Sequence, residues 1–240
     1  MIISVKIECC TQCGSFDIVK NGVSATGKQK FHCHTCGTWR TLAPTVPYSP
    51  DRKEEIMRVY QERASMRGVQ RACGVARQTL ARWLKAKAAT VGDLAATLAP
   101  VQPDDVLELD ELWSFVLKKD NQRWVWLSLC RRTRQIVAYY IGDRSEDSCR
   151  ALWRRIPSAY KKCQSYSDLW EAYQKVWPRA THHSVGKKSG QTAHLERWNN
   201  TLRQRISRFV RKTLSFSKSD VYHELVLKIF IHNYNLECIS

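Results

Sequence analysis

Two Cys-x2-Cys pairs near the beginning of the chain constrain its fold more than any other feature of the sequence. Cys10 and Cys13 form the first pair, Cys33 and Cys36 form the second, and 19 residues lie between the pairs. This spacing is typical of two knuckles that each give two thiolates to one tetrahedral zinc ion. Because so short a segment cannot build much core, the metal would supply its folding free energy. We therefore predict a zinc ribbon over residues 1–43.

The sequence leaves other roles for this segment open. Cys9 could replace Cys10, and His32 or His34 could replace a thiolate, although only Cys10 gives both pairs the same spacing. Two redox dithiols are a further alternative, but these more usually accompany a longer βαβ unit. Five further cysteines are scattered singly along the chain, which favours a reducing compartment over a disulfide framework.

The net charge predicts a polyanionic partner. Lys and Arg outnumber Asp and Glu by 39 to 22, which gives a formal net charge of +17, and the excess is spread over both halves of the chain. Phosphate neutralisation supplies most non-specific nucleic-acid binding, so nucleic acid is the leading candidate and a merely basic surface is the alternative. No apolar run approaches the roughly 20 residues that span a bilayer, and the start lacks a signal-peptide pattern, so we expect an intracellular protein.

Three helices are predicted after the ribbon. The first, over residues 51–64, has apolar residues at three- and four-residue spacing. Ser65 can cap the second helix, and Gly74 suits the tight turn that follows it. The third helix runs from about residue 77 to residue 87. We assign residues 51–90 to a helix-turn-helix DNA-binding domain.

The third predicted helix has the form of a recognition helix. It buries apolar residues on one face and presents Arg77, Gln78 and Arg82 on the other. Docking in a major groove would make Gln78 and Arg82 the principal base readers. The alternative is an ordinary three-helix bundle with a solvated basic face.

Two segments without helical or strand periodicity set the domain boundaries. Three of the seven residues over 44–50 are Pro. Residues 91–105 end in Pro and two consecutive Asp. We interpret both segments as linkers. A larger α/β domain is therefore predicted over residues 106–240.

The order of predicted elements in that domain indicates a ribonuclease-H-like fold. Three strands, the first at 106–109, are rich in β-branched and aromatic residues, and short polar links would join them into an antiparallel meander. A helix, a strand, a helix and a strand follow, and then a long helix over about 192–210. This is the chain order of an α/β fold in which helices flank a mixed sheet.

Three carboxylates would meet at one edge of that sheet. Asp110 would end the first strand, Asp168 would end the fourth, and Glu196 would reach in from the long helix. Such a set could hold two Mg²⁺ ions about 4 Å apart, with Mn²⁺ as an alternative, because hard divalent ions take oxygen ligands. The chain has 22 acidic residues, so spacing alone does not single out this triple.

Four segments closely resemble the insertion-sequence-one transposase family, of the fused InsAB type. They are ELDELWSFV (108–116), YSDLWEAY (166–173), GQTAHLERWNNTLRQR (190–205) and RKTLSFSKS (211–219). Long motifs in the same order make coincidence improbable. The resemblance also covers the cysteine pairs and the helix-turn-helix, so it spans nearly the whole chain.

The resemblance implies a DNA transposase. The catalytic DDE triad of that family matches Asp110, Asp168 and Glu196. The N-terminal modules would bind the terminal inverted repeats of the element, and the triad would cut strand ends and join them to target DNA. Such an enzyme would work on nucleoid DNA in a prokaryotic cytoplasm, as a dimer or larger assembly, because two DNA ends must be held. The alternatives are a ribonuclease-H-like nuclease, such as a resolvase, and a non-catalytic DNA-binding regulator derived from a transposase.

Basic residues that follow Glu196 are predicted DNA contacts. Arg203 lies two helical turns further on, so it would share the face of Glu196 and touch a phosphate. The other predicted backbone contacts are Arg205, Arg208, Arg211 and Lys212. His194 could assist with a phosphate or a proton, or could be a packing residue at the helix N-terminus. Glu111 would point to the opposite face of its strand, as a structural or spare acid.

Overall fold

The computed structural model describes residues 8–25, 27–42 and 48–239, which belong to two compact units. The first unit extends to Pro50, and the second begins at Asp51. Most of the predicted linker over 44–50, namely residues 44–47, lies outside the described residues. The first seven residues of the predicted zinc ribbon also lie outside them.

The first unit is a small antiparallel sheet. Its strands, in the order β1-β2-β3, are β1 (Ile18–Val23), β2 (Gln29–Cys33) and β3 (Trp39–Arg40). Each cysteine pair lies in a tight turn, closed by a bond from the Gly14 N–H to the Cys10 carbonyl in one and from the Gly37 N–H to the Cys33 carbonyl in the other. Both glycines have a positive φ, 74° and 68°, a conformation that favours Gly.

The second unit opens with three helices, as the sequence predicts. They are α1 (Pro50–Gln61), α2 (Met66–Cys73) and α3 (Arg77–Thr90). The Ser65 hydroxyl accepts the backbone N–H of Gly68 at 2.9 Å, so the predicted N-cap of α2 is confirmed. Gly74 ends α2 with φ 71°, which confirms the predicted tight turn.

A five-stranded mixed sheet forms the centre of the second unit. Its strands are β4 (Val106–Val116), β5 (Lys118–Cys130), β6 (Ile136–Gly142), β7 (Gln164–Ser167) and β8 (His182–Ser184). They lie in the order β6-β5-β4-β7-β8. The pairs β4 with β5 and β5 with β6 are antiparallel, whereas β7 pairs in parallel with both β4 and β8. The predicted antiparallel meander is therefore confirmed.

Helices cover both faces of this sheet. They are α4 (Glu146–Arg155), α5 (Glu171–Val176), α6 (Ala193–Arg205) and α7 (Asp220–Glu237). Leu107 and Leu109 of β4 pack with Trp126 in the core that α4 and α5 close. Because successive strand residues point to opposite faces, Glu108 and Asp110 point instead toward α6, and their hydrogen bonds reach that helix.

The three N-terminal helices pack on the C-terminal part of the second unit. The hydroxyl of Tyr222 in α7 donates to the Ala81 carbonyl at 3.5 Å, and Nζ of Lys228 donates to the Ala88 carbonyl at 3.0 Å. Residues 51–90 and 106–239 thus form one compact body.

Two predicted boundaries were wrong in ways that affect the site. The first strand continues to Val116 rather than ending at residue 109, because its apolar residues continue to pair with β5. Asp110 therefore lies inside β4. The predicted helix over 192–210 ends at Arg205, and a short 3-10 turn, Ser207–Phe209, then carries Phe209 into the core. Arg208 and Arg211 consequently do not share a helix with Glu196.

The observed architecture is a mixed α/β fold, in agreement with the predicted fold class at that level. Among the described residues, no helix is both long and apolar enough to cross a bilayer.

Candidate functional site

Asp110, Asp168 and Glu196 approach one another where β7 ends beside the longer strand β4. The parallel pairing of β4 with β7 runs to Glu108 and Tyr166, and Asp110 and Asp168 each stand two residues further along. Glu196 lies in the first turn of α6, which crosses the face toward which Asp110 points. The charges of Asp168 and Glu196 both act on Asp110. The structure therefore brings the three predicted carboxylates into one neighbourhood.

The environment of Asp110 disfavours its charged form. Burial is the largest cause, and the negative charges of Glu111, Asp168 and Glu196 add to it, so that the pKa of Asp110 is raised to about 7. A backbone hydrogen bond from Glu111 opposes this shift only in part. Repulsion from the neighbouring carboxylates thus adds to burial in favouring the neutral form of Asp110.

Each carboxylate has a local partner on one oxygen. Oδ1 of Asp168 accepts the Trp170 N–H at 3.0 Å, and Oε1 of Glu196 accepts the Thr192 hydroxyl at 3.1 Å. Oδ2 of Asp110 accepts a hydrogen bond from Nδ2 of Asn199 at 2.7 Å. These bonds orient the three groups and leave the second oxygen of each carboxylate outside them.

This donor set fits a hard divalent cation. Carboxylate oxygens are the ligands that Mg²⁺ and Mn²⁺ prefer, and a cation would offset the burial and the repulsion that together raise the pKa of Asp110. Oδ1 of Asn199 is buried and has no hydrogen-bond partner within the described chain, so it adds a further oxygen beside Asp110.

Glu108, which the sequence did not single out, anchors α6 to β4. Its side chain is fully buried, and its Oε2 accepts the backbone N–H groups of His194 and Leu195 at 2.9 and 3.0 Å. A carboxylate at a helix N-terminus satisfies free N–H groups and interacts favourably with the helix dipole. Oε1 accepts from Arg131 at 2.9 Å. The signal in the sequence is that Glu108 precedes Asp110 by two residues and so shares its face.

His194 is held by the same carboxylate. Its Nδ1 lies 2.6 Å from Oε1 of Glu108, and the ring is about one quarter exposed. The contact supports the packing alternative for His194, which keeps the beginning of α6 against the central strand.

Glu111 occupies the opposite face of β4, as predicted. Its Oε1 accepts from Nε and Nη2 of Arg144 at 2.9 and 2.6 Å, and its Oε2 accepts the Tyr173 hydroxyl at 3.0 Å. Burial is the main cause of a raised Glu111 pKa, and Asp168 adds to it while Arg144 opposes it. Glu111 thus has a structural set of partners and also contributes to the negative field around Asp110.

Arg203 lies on the side of α6 that faces Asp110. Its Nε is buried without a hydrogen-bond partner among the described residues. Burial and the nearby charge of Arg211 lower the pKa of the Arg203 guanidinium, whereas Asp110 raises it. An interaction between Arg203 and Asp110 is expected if Arg203 shares the helix face of Glu196, as predicted.

The four predicted zinc ligands converge in the first unit. The Sγ atoms of Cys10, Cys13, Cys33 and Cys36 all lie within 4.8 Å of one another, and none forms a disulfide. Four thiolates at this spacing could hold one tetrahedral zinc ion. Cys9 is exposed and outside the group, and His34 contacts Asp17 instead, so neither supplies an alternative ligand.

Comparison with known proteins decides the family. The family described as IS1 transposase matches residues 106–236, which is more than half of the chain. The chain belongs to the IS1 transposase family. The match includes β4, the acidic group, α6 and nearly all of α7.

Curated IS1 relatives resemble the same part of the chain. The insertion element iso-IS1n protein InsB of Shigella dysenteriae is 38% identical over 129 residues, which cover 54% of this chain and 95% of the relative. The IS1 protein InsB of Shigella flexneri is 33% identical over 125 residues, covering 52% and 92%. In Escherichia coli K12, the IS1 4 protein InsB is 32% identical over 136 residues, covering 55% and 79%. The second unit therefore contains an insertion-sequence transposase domain.

The basic residues of this IS1 transposase differ in their availability for DNA. Arg77, Gln78 and Arg82 are exposed on α3, and Arg211 and Lys212 are exposed after the 3-10 turn. Arg208 is buried, and Nη2 of its guanidinium donates to the Tyr60 hydroxyl at 2.6 Å. Arg205 pairs with Glu62 at 2.7 Å and Glu237 at 3.1 Å. Arg208 does not suit the predicted role of a DNA contact, because its guanidinium is inside the fold. Arg205 suits that role less well than the exposed residues do, because it already pairs with two carboxylates.

Proposed function

We propose that this IS1-family transposase cuts and joins DNA strands with a DDE site of Asp110, Asp168 and Glu196. The observation that carries the proposal is the placement of the three carboxylates. Asp110 and Asp168 each stand two residues beyond the parallel pairing of β4 with β7, and Glu196 lies in the first turn of α6, the helix that bonds to Asp110 through Asn199. The strand order, with three antiparallel strands followed by two parallel ones and helices on both faces, supports a ribonuclease-H-like fold for this domain.

The chain's own residues would prepare the phosphoryl transfer. Asp110 and Asp168 on neighbouring strands and Glu196 on α6 would hold divalent metal, preferably two Mg²⁺ ions. Bound ions of this kind activate a water or a 3′-hydroxyl and stabilise the leaving oxygen. Asn199 orients Asp110, Glu108 fixes the beginning of α6, and Arg203 would contact a phosphate of the DNA end.

The modules before residue 106 would select the DNA. The exposed residues Arg77, Gln78 and Arg82 of α3 support a helix-turn-helix that reads terminal inverted repeats in the major groove. The four-cysteine unit would be a zinc ribbon that adds to this binding. Arg211 and Lys212 would contact the DNA backbone. Because a transposase holds two DNA ends, we propose a dimer or larger assembly on DNA.

The test uses labelled terminal-repeat DNA, taken from the sequence that flanks the gene, with Mg²⁺ and a target plasmid. We expect strand cleavage and joining by the parent and by Asp120→Asn, an exposed acid on β5, and neither reaction with Asp110→Asn. If Asp110→Asn were as active as the parent, the assignment of Asp110 as a metal ligand would be wrong. Cleavage without joining would indicate a nuclease, and specific binding without cleavage would indicate a regulator.

A further inference from the structure

A cavity of about 350 Å³ opens directly beside Asp168. It is lined by Arg144, Asp168, Leu169, Trp170, Val185 and Gly186. The cavity lies at the carboxyl ends of the parallel strands β7 and β8, where ligands commonly bind in open α/β sheets. Its volume is at the lower end of the range for small-molecule sites. It therefore has room for a single nucleobase.

The walls of the cavity combine apolar surface with fixed polar groups. The guanidinium of Arg144 is stacked between the rings of Trp124 and Trp170, with its centre 4.6 and 4.2 Å from their centroids. Glu111 accepts from Nε and Nη2 of Arg144, which leaves Nη1 outside these bonds. The rigid guanidinium can thus donate to a ring nitrogen or carbonyl of an occupant.

Leu169 gives this cavity an unusual exposed apolar side. Leu169 stands between Asp168 and Trp170 in the sequence, and its side chain is 63% exposed. The turn that carries it is fixed, because the Trp170 N–H donates to Oδ1 of Asp168. Exposed apolar side chains such as leucine contact the flat faces of bases when a base step is unstacked.

We propose that this cavity receives one nucleobase unstacked from the DNA strand whose phosphate lies at the acidic site. The proposal rests on the proposed function and adds a binding site for a specific part of the substrate. Asp168 belongs to both the cavity and the acidic group, so an occupant of the cavity lies beside the acidic site. Leu169 provides the apolar contact to the face of the base, next to the half-buried Trp170 ring on which Arg144 is stacked, and Arg144 contacts the base edge. Holding the base out of the duplex opens the strand for attack.

Two substitutions change the cavity without disturbing the core. Leu169→Ser removes exposed apolar surface. Gly186→Leu fills the space, since no heavy atom lies within 4 Å of where a Cβ would stand and the backbone φ of Gly186 is negative. Matched controls are Leu236→Ser, an exposed leucine of α7, and Gly92→Leu, which has equally open surroundings.

The experiment compares cleavage of ordinary DNA with cleavage of DNA that lacks a single base. Abasic nucleotides are placed in turn at each of the few positions next to the cleaved bond. On ordinary DNA we expect Leu169→Ser and Gly186→Leu to cleave about tenfold more slowly than the parent, the size expected for the loss of one apolar contact with the base. The control variants should match the parent. At one abasic position, the difference between parent and cavity variants should disappear.

The outcomes separate this proposal from the proposed function. If the parent cleaves and Asp110→Asn does not, but the cavity variants cleave like the parent, the base site is overturned alone. A tenfold loss that persists at every abasic position also overturns it, because the substitutions would then act without a base. If the parent fails to cleave terminal-repeat DNA, the proposed function fails and the base site fails with it. Thermal unfolding of each variant confirms that the fold is retained.

Discussion

Asn199 donates a hydrogen bond from its side-chain nitrogen to Oδ2 of Asp110 across 2.7 Å, and so connects α6 to the central strand. The bond joins two residues that are 89 positions apart in the sequence. It holds the Asp110 carboxylate in one orientation, while Oδ1 of Asn199 stays without a partner among the described residues. Groups that orient metal ligands commonly matter nearly as much as the ligands themselves.

Asn199→Ala should therefore slow DNA cleavage without unfolding the protein. We expect a loss of roughly 10- to 100-fold, because Asp110 would lose its orienting donor. A higher Mg²⁺ concentration should recover part of the rate, which a general loss of structure would not allow. Asn200→Ala, at the exposed neighbouring position, is the control and should cleave like the parent. Equal rates for both variants would remove Asn199 from the site.

Glu108→Gln should destabilise the second unit. The substitution removes the buried negative charge that pairs with Arg131. It also weakens the hydrogen bonds that this side chain accepts from two backbone N–H groups of α6. Loss of one partner of a buried charged network costs more than loss of a surface pair, so we expect at least about 2 kcal/mol in urea unfolding. Asp120→Asn, whose exposed partner Lys118 is 3.8 Å away, should change stability by less than about 0.5 kcal/mol.

The parts of the fold that were predicted from sequence depend on local chemistry. Ser65 and Gly74 are confirmed because a cap and a left-handed turn need particular side chains at single positions. The convergence of Cys10 with the other three thiols follows from equal spacing within the two pairs. The strands of the meander could be predicted because segments rich in β-branched and aromatic residues are separated by short polar links.

The parts that were missed depend on tertiary packing. Nothing local distinguishes Glu108 from a surface acid until α6 places its N-terminal N–H groups against it. Likewise α6 ends at Arg205 because the chain must turn to bury Phe209, although the sequence continues with acceptable helix formers. This early end explains why Arg208 points into the interior while Arg211 stays exposed.

The purified protein should contain about one zinc ion per chain. Replacement of Cys33 and Cys36 by Ser should abolish it, since two of the four converging thiols would be lost. Cys9→Ser should retain the metal, because Cys9 lies outside the group. Atomic absorption of dialysed protein provides the measurement. Loss of zinc in Cys9→Ser would contradict the ligand assignment.

Acidification should weaken the fold through His223. Burial, and secondarily the charge of Arg208, lower the pKa of His223 to about 4, and its ring nitrogens bond to Ser114 and Ser217. The unfolded chain, with a His pKa near 6.5, binds a proton that the folded state resists. The stability that neutral His223 provides is thus present above about pH 6.5 and is lost as the pH falls toward 4, by about 3 kcal/mol. Between about pH 4 and pH 6.5, the free energy of unfolding of His223→Gln, measured in urea, should change less steeply with pH than that of the parent. The difference in slope should correspond to at most one bound proton. An unchanged slope would contradict the assignment.

Arg208 and Arg211, three residues apart, should respond to substitution in opposite ways. Arg208→Ala should cost about 2 to 4 kcal/mol of stability, because it removes a buried bond to Tyr60 and leaves a cavity. Its folded fraction should bind DNA with the same salt dependence as the parent. Arg211→Ala and Lys212→Ala should leave stability within about 0.5 kcal/mol, since both side chains are exposed. Each should lower the slope of log affinity against log salt by about 1, as expected for one lost phosphate contact. DNA binding at several salt concentrations, together with urea unfolding, separates the two roles. If Arg208→Ala reduced the dependence of DNA affinity on salt, its guanidinium would be a DNA contact.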